Sequence, residues 1–147
     1  GCQSGAISVK RAQRKDQGML VAIAAAGAMA AGAPTGWHCR NELEIWCTDE
    51  GCRQAPPGES TPLDIWAGRG TYSVCAYTGC WEGKARPKRI GERLLWTGKN
   101  VAFSTSPDKD EMAADVTLLI FESDGVGFVR AGGLATPLLC ERAEKPF

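Results

Sequence analysis

Histidine is almost absent from this chain. His38 is the only one among 147 residues. No HExxH motif, phosphate loop, calcium loop or G-x-S-x-G turn occurs either. A zincin needs two imidazoles on one helical face, and a serine hydrolase needs its nucleophile on a strained turn. Both classes therefore lack their equipment here, and His38 is expected to be an outward-facing strand residue. Net charge is also missing: 17 basic residues balance 17 acidic ones. Four of the basic residues and only Asp16 among the acids lie before residue 31, so the remainder carries 13 basic against 16 acidic groups. A nucleic-acid-binding domain usually shows a basic bias, and none is expected. Long hydrophobic runs are lacking as well. The longest, Met19 to Ala33, has about 15 residues and is mostly Ala and Gly, where a spanning helix needs roughly 20 apolar residues.

That run does fit another purpose. It follows the basic stretch Lys10 to Lys15 and contains Ala28-Met29-Ala30, a small-x-small cleavage pattern. A basic n-region, a short apolar h-region and small residues at its end describe a secretory signal peptide. The expectation is a signal helix and upstream residues over 1–33, an exported domain over 34–147, and a mature start between Ala31 and Thr35. Gly1-Cys2-Gln3-Ser4 looks like the end of a lipobox, but its apolar run comes after the cysteine, so no lipid anchor is expected there.

Cleavage near residue 30 would remove Cys2 and leave six cysteines: Cys39, Cys47, Cys52, Cys75, Cys80 and Cys140. An exported chain with an even cysteine count reads as a disulfide framework. Cys47–Cys52 and Cys75–Cys80 each enclose four residues ending in Gly. Facing positions of a hairpin lie within disulfide reach, so each pair is expected to staple one hairpin. Cys39 and Cys140 are left to join the start of the domain to its end. A zinc site on the two C-x4-C pairs, or a redox pair, would be the alternatives. The spacing is not that of C-x2-C knuckles or of a thioredoxin motif, and no metal or cofactor is expected.

Period-two alternation runs through Trp37 to Cys47, broken only at Asn41, and reads as one half-buried strand. Further strands are expected at Leu63–Ala67, Thr71–Ala76, Trp81–Ala85, Ile90–Trp96, Val101–Ser104, Val116–Glu122, Val126–Arg130 and Pro137–Glu141. Thr97 to Asn100 reads as a turn, and Met112 to Ala114 as a helical turn. Ser123-Asp124-Gly125 is a hairpin signal. Short strands with a turn every 8–12 residues indicate a barrel or sandwich. The expected fold is all-β: a small antiparallel barrel of seven or eight strands, disulfide-stapled, closed by pairing of its terminal strands.

Tryptophan is the richest remaining signal, with five residues. Trp46 lies on the mostly polar side of its strand and Trp66 opposes Leu63 and Ile65. With Trp96 they are expected to form a partly exposed face that binds a sugar, a peptide or another small ligand. Otherwise the rings fill the core. Arg86-Pro87-Lys88-Arg89 forms a basic turn that either is simply solvated or meets an anionic envelope surface or acidic cleft.

The WHC at Trp37–Cys39, the CAYTGCWEG at Cys75–Gly83, the LLWTGKNVAFS at Leu94–Ser104 and the PLLCE at Pro137–Glu141 resemble small exported proteins of Gram-negative bacteria with no assigned function. The plan is also similar to that of periplasmic inhibitors of C-type lysozyme, small barrels whose first and last cysteines are bridged. The resemblance implies a periplasmic or secreted barrel. The functional expectation is a non-enzymatic envelope protein that binds a small ligand, a glycan or another envelope protein. An inhibitor of a lysozyme or protease, and a small cell-wall hydrolase, are the alternatives. Neither nucleic acid nor a stable membrane span is expected.

Overall fold

The computed structural model describes residues 35–76, 79–106 and 111–144. The expected signal helix and Cys2 lie outside the described residues. These residues form eleven strands and no helix. They are β1 (Gly36–Arg40), β2 (Ile45–Thr48), β3 (Gly51–Gln54), β4 (Asp64–Ala67), β5 (Tyr72–Ala76), β6 (Gly79–Gly83), β7 (Lys88–Ile90), β8 (Arg93–Val101), β9 (Ala114–Phe121), β10 (Val126–Ala131) and β11 (Leu134–Ala143). Among the described residues no helix is long and apolar enough to cross a membrane.

Nine strands form one antiparallel sheet in the order β6-β5-β4-β1-β11-β10-β9-β8-β7. The sheet curls into a half-barrel. Its β6 edge meets the chain beyond β8 through a single bridge, Trp81 to Phe103. The first and last strands do pair, with Cys39 opposite Cys140. They lie in the middle of the sheet, however, not at a closing seam, so the expected closure by terminal strands does not occur.

The bridges are Cys39–Cys140, Cys47–Cys52 and Cys75–Cys80, each joining directly paired residues of neighbouring strands. Bridges of this kind persist in oxidising compartments.

Alternation places the core. In β9, Ala114, Val116, Leu118 and Ile120 are buried while Asp115 and Thr117 are exposed. Leu94 and Trp96 of β8, Val129 and Ala131 of β10, and Leu134 and Leu138 of β11 fill the same interior. Each large side chain buried there contributes roughly 1.5–3 kcal/mol of transfer free energy. Tyr72 crosses from β5 to the far side, where its ring occupies the space that a Cβ on Gly83 or Gly98 would take.

Four expectations of strand layout change. The alternation from Trp37 to Cys47 is two strands, not one. Asn41 makes the corner: its amide donates to Leu43 O and Thr61 O, and its Oδ1 accepts from Leu63 N. The stretch 90–104 is also recut. Gly91, in the left-handed region at φ 61°, turns β7 into β8. Thr97–Asn100 is no turn, because β8 runs through it with a bulge centred on Asn100 (φ 50°). Asp115 accepts the Asn100 N–H there. Glu111 and Met112 form a turn without a helix, Ala113 is irregular, and Ala114 opens β9. These splits, with the β2–β3 ribbon, raise the count beyond seven or eight.

Candidate functional site

Strand ends converge on one rim of the half-barrel. The start of β1 brings Trp37, the end of β11 brings Arg142, and the β4–β5 turn brings Arg69. β7 supplies Arg89, and Glu122 follows β9. Together with Leu94 and Trp96 of β8 they line a cleft of about 530 Å³. Its apolar floor is Trp37, Leu94 and Trp96, which are 4%, 7% and 1% exposed. Its wall is cationic.

The geometry of the wall follows from a few contacts. Trp96 donates its indole N–H to Gly68 O at 2.9 Å, and Gly68 N donates to Thr71 O at 2.8 Å. A buried ring thus fixes the turn that carries Arg69. Glu122 accepts from Arg142 Nη2 through Oε1 at 2.6 Å and from Arg89 Nη1 through Oε2. Its side chain is only 14% exposed while both arginines are open to solvent. The Arg142 guanidinium lies 4.1 Å from the Trp37 ring centre, within cation–π range. The buried Trp37 indole N–H has no acceptor among the described residues. Arg69 makes no ion pair among them. It also borders a second hollow with Arg86 and Pro87, so the basic turn Arg86–Arg89 continues the same cationic rim.

An adjoining recess of about 390 Å³ shares Thr35, Gly68 and Arg69 with the cleft and is lined further by Trp66, Tyr72 and Glu144. The Tyr72 hydroxyl is buried without a partner among the described residues, and burial pushes its pKa above the ordinary 10.0.

The three tryptophans expected to share a face do not. Trp96 is a correction: it is buried. In Arg93-Leu94-Leu95-Trp96-Thr97 the polar ends set the phase, so Leu94 and Trp96 point inward and Leu95 outward. Its part in the cleft is as floor and as anchor of the Arg69 turn. Trp66 is half-buried on the outer face, stacked on His38 with ring centres 4.1 Å apart. Trp46 is half-buried too, but sits elsewhere. It pairs with Leu134, at the other end of β11 from Arg142, eight residues or about 26 Å along the strand. Its ring leans on Gly133, where any Cβ would approach to 2.7 Å.

His38 is held from both sides. Nε2 lies 2.6 Å from Asp64 Oδ1 and Nδ1 lies 3.8 Å from Glu141 Oε1. Asp64 also accepts the Trp66 indole N–H at 3.3 Å. The imidazole therefore faces carboxylates at both nitrogens and an indole on its face, an arrangement that fastens β4 to β1 and β11. Among the described residues no group of His, Cys, Asp and Glu is placed to hold a metal ion.

Glu44 went unrecognised in the sequence, where it stands on the polar side of an apparent strand. It is 2% exposed. Oε1 accepts from Trp46 Nε1 at 2.7 Å and Oε2 from Thr61 N at 2.6 Å, while its carbonyl accepts from Ala55 N. It ties the β2–β3 ribbon to the loop before β4. Trp37, Arg69, Glu122 and Arg142 were not identified from the sequence either. They lie far apart along the chain and meet only because antiparallel pairing brings these strand ends to one rim.

No protein-family model matches the chain, no curated protein matches it, and no solved structure matches it.

Proposed function

We propose that the chain is a non-enzymatic exported binding protein of the bacterial envelope, with its ligand held in the arginine-rimmed cleft. The observation that carries this reading is the cleft itself: an apolar aromatic floor under three guanidinium groups, on a shell stapled by three disulfides. Clefts of this size with an apolar lining and a few placed polar groups are the usual form of a small-molecule site. Localisation in the periplasm or outside the cell is part of the proposal. The cell-wall hydrolase alternative needs two carboxyls facing each other across a cleft, and here Glu122 is already committed to two arginines.

The five indole N–H signals of ¹⁵N-labelled protein give a direct test. Muropeptides, N-acetylglucosamine oligomers and small aromatic anions are titrated in turn. Binding in the cleft shifts the Trp37 and Trp96 signals and leaves Trp46 unmoved. Shifts confined to Trp46 or Trp66 would move the site elsewhere, and no shift with any probe would remove the reading.

A second reading, inhibition of a lysozyme or protease, draws on the β2–β3 ribbon. The ribbon pairs with the sheet at Trp46–Leu134, with hydrogen bonds from Cys47 N to Gly133 O and between Ile45 and Thr136 on either side, every residue of β3 is exposed, and Cys47–Cys52 stiffens a tip carrying Asp49 and Glu50. A rigid loop loses little entropy on docking. Residual activity of lysozyme and of common proteases, measured with a molar excess of the protein, decides this reading.

A further inference from the structure

Resting on that reading of the cleft, we propose that its ligand carries a phosphomonoester head on a flat or apolar body, the head gripped by Arg69, Arg89 and Arg142. Charge is the first ground. Three guanidinium groups and one carboxylate line the cleft, a formal surplus of two positive charges. A phosphomonoester brings about −1.5 to −2 near neutral pH; a carboxylate brings half of that.

Direction is the second ground. The three guanidinium groups enter from the β4–β5 turn, from β7 and from the end of β11. A carboxylate is planar and one guanidinium fork saturates it. A tetrahedral phosphoryl group presents three outer oxygens in different directions, one for each arginine. Glu122 does not exhaust its partners. It takes one hydrogen bond from Arg89 and one from Arg142, and each guanidinium has five N–H donors. The carboxylate thus acts as a splint that holds two forks at the cleft's lining and leaves each with further donors. Arg69 brings a third, unpaired among the described residues.

The floor is the third ground. Trp37, Leu94 and Trp96 make the bottom of the cleft apolar, and Arg142 rests on the Trp37 face. A buried donor left without an acceptor costs stability, and the Trp37 indole N–H is one. A charged head beside the Arg142–Trp37 stack would report itself in the Trp37 signal.

The same head group occurs on soluble sugar or aryl phosphates and on phosphatidic-acid-type lipids, so the experiment has two arms. In the first, oxidised ¹⁵N-labelled protein is titrated with phenyl phosphate, benzoate and benzamide, following the Trp37 indole signal. Phenyl phosphate should bind at least about tenfold tighter than benzoate, a difference of about 1.4 kcal/mol, and weaken as salt is added. Arg69→Ala should reduce phenyl phosphate affinity about tenfold or more and leave benzamide unchanged. Arg69→Lys should recover only part, because an ammonium lacks the fork. In the second arm, phosphatidylcholine vesicles with and without phosphatidic acid are floated with the protein. Flotation that needs phosphatidic acid and is competed by phenyl phosphate assigns the lipid source; phenyl phosphate binding without flotation assigns the soluble one. Equal affinity for phenyl phosphate and benzoate, or an Arg69→Ala variant with unchanged phosphate affinity, overturns the phosphate head while the cleft stands. A Trp37 signal that no probe moves overturns the cleft as well.

Discussion

Removing the long bridge should cost far more than removing a short one. Cys39 and Cys140 are 101 residues apart in sequence, whereas each of the other pairs is separated by 5. In the chain-entropy description, a cross-link restricts the unfolded chain by an amount that grows with the logarithm of the loop. For a loop of about 100 residues this is ~4.7 kcal/mol at 25 °C, and for one of about five it is roughly 2 kcal/mol. Cys39 is fully buried, so Cys39→Ala with Cys140→Ala also deletes packed sulfur and adds about 1 kcal/mol of cavity cost. The Cys47→Ala, Cys52→Ala pair sits on an exposed ribbon and adds little. Against a typical total of about 5–15 kcal/mol, the first variant is left near the edge of folding and the second is not. Urea unfolding without reductant, followed by tryptophan fluorescence, measures both. The slope should rise most for the long-bridge variant, because its unfolded chain expands furthest. A long-bridge variant that loses no more stability than the Cys47–Cys52 variant would refute the loop-entropy reasoning.

Three further outcomes are expected. Tyr72→Phe removes a buried hydroxyl without a partner among the described residues and should raise stability by about 1 kcal/mol in the same urea assay. The folded pKa of Tyr72 lies above its unfolded value of 10.0, so its contribution is complete below pH 10 and is lost as pH rises through the folded value; stability curves from pH 9 to 12 should fall less steeply for Tyr72→Phe. Gly83→Ala places a Cβ 2.2 Å from the Tyr72 ring and should cost about 1–3 kcal/mol by overpacking, with a changed near-UV circular dichroism; an unchanged spectrum and melting temperature would contradict the contact. Glu44→Ala strips the acceptor from Trp46 Nε1 and Thr61 N and should cost about 2–4 kcal/mol, as charged hydrogen bonds are lost and a donor is left buried, with a red shift of tryptophan emission as Trp46 loosens.

Local rules were readable because their signals are local. The pair Cys75 and Cys80 needed only two strands and a Gly-bearing turn. Ser123-Asp124-Gly125 needed only a hairpin: Gly125, at φ 72°, packs so tightly on Cys140 O that any Cβ would stand 2.2 Å from it. The β-branched and aliphatic run Val116–Glu122 gave most of β9, which starts two residues earlier at Ala114. Reading failed where a partner distant in sequence decides the outcome. Asn41 interrupts an alternation, and only Thr61 and Leu63 show that it is a corner. Glu44 looks exposed until the loop carrying Thr61 closes over it. The turn residues Gly98 and Asn100 sit inside a strand because β9 continues alongside them. Trp96 could have been assigned to the core from the polar neighbours Arg93 and Thr97. The cleft could not have been found this way, since Trp37, Arg69, Arg89, Glu122 and Arg142 share no spacing and meet only through sheet order.

The central position of the β1–β11 pair bears on how the molecule is made. A chain entering an oxidising space from its N-terminal side presents Cys39 before the other bridged cysteines, and its partner arrives last. Between them four other thiols pass. Cys47 meets Cys52, and Cys75 meets Cys80, after only a few residues of chain have followed, and closing a loop that short takes far less time than adding a hundred residues. The bond itself forms over seconds to hours, so what the short spacing supplies is a high local concentration of the right partner, in competition with capture by Cys39. Each short pair therefore occupies thiols that compete for Cys39, and in doing so leaves that sulfur for Cys140, its neighbour across β1 and β11. A variant lacking both short pairs should accordingly fold to the same sheet at equilibrium yet reach it with no mispairing at all, whereas mixed variants retaining a single cysteine of either pair should accumulate mis-bridged Cys39, visible as extra bands on non-reducing gels.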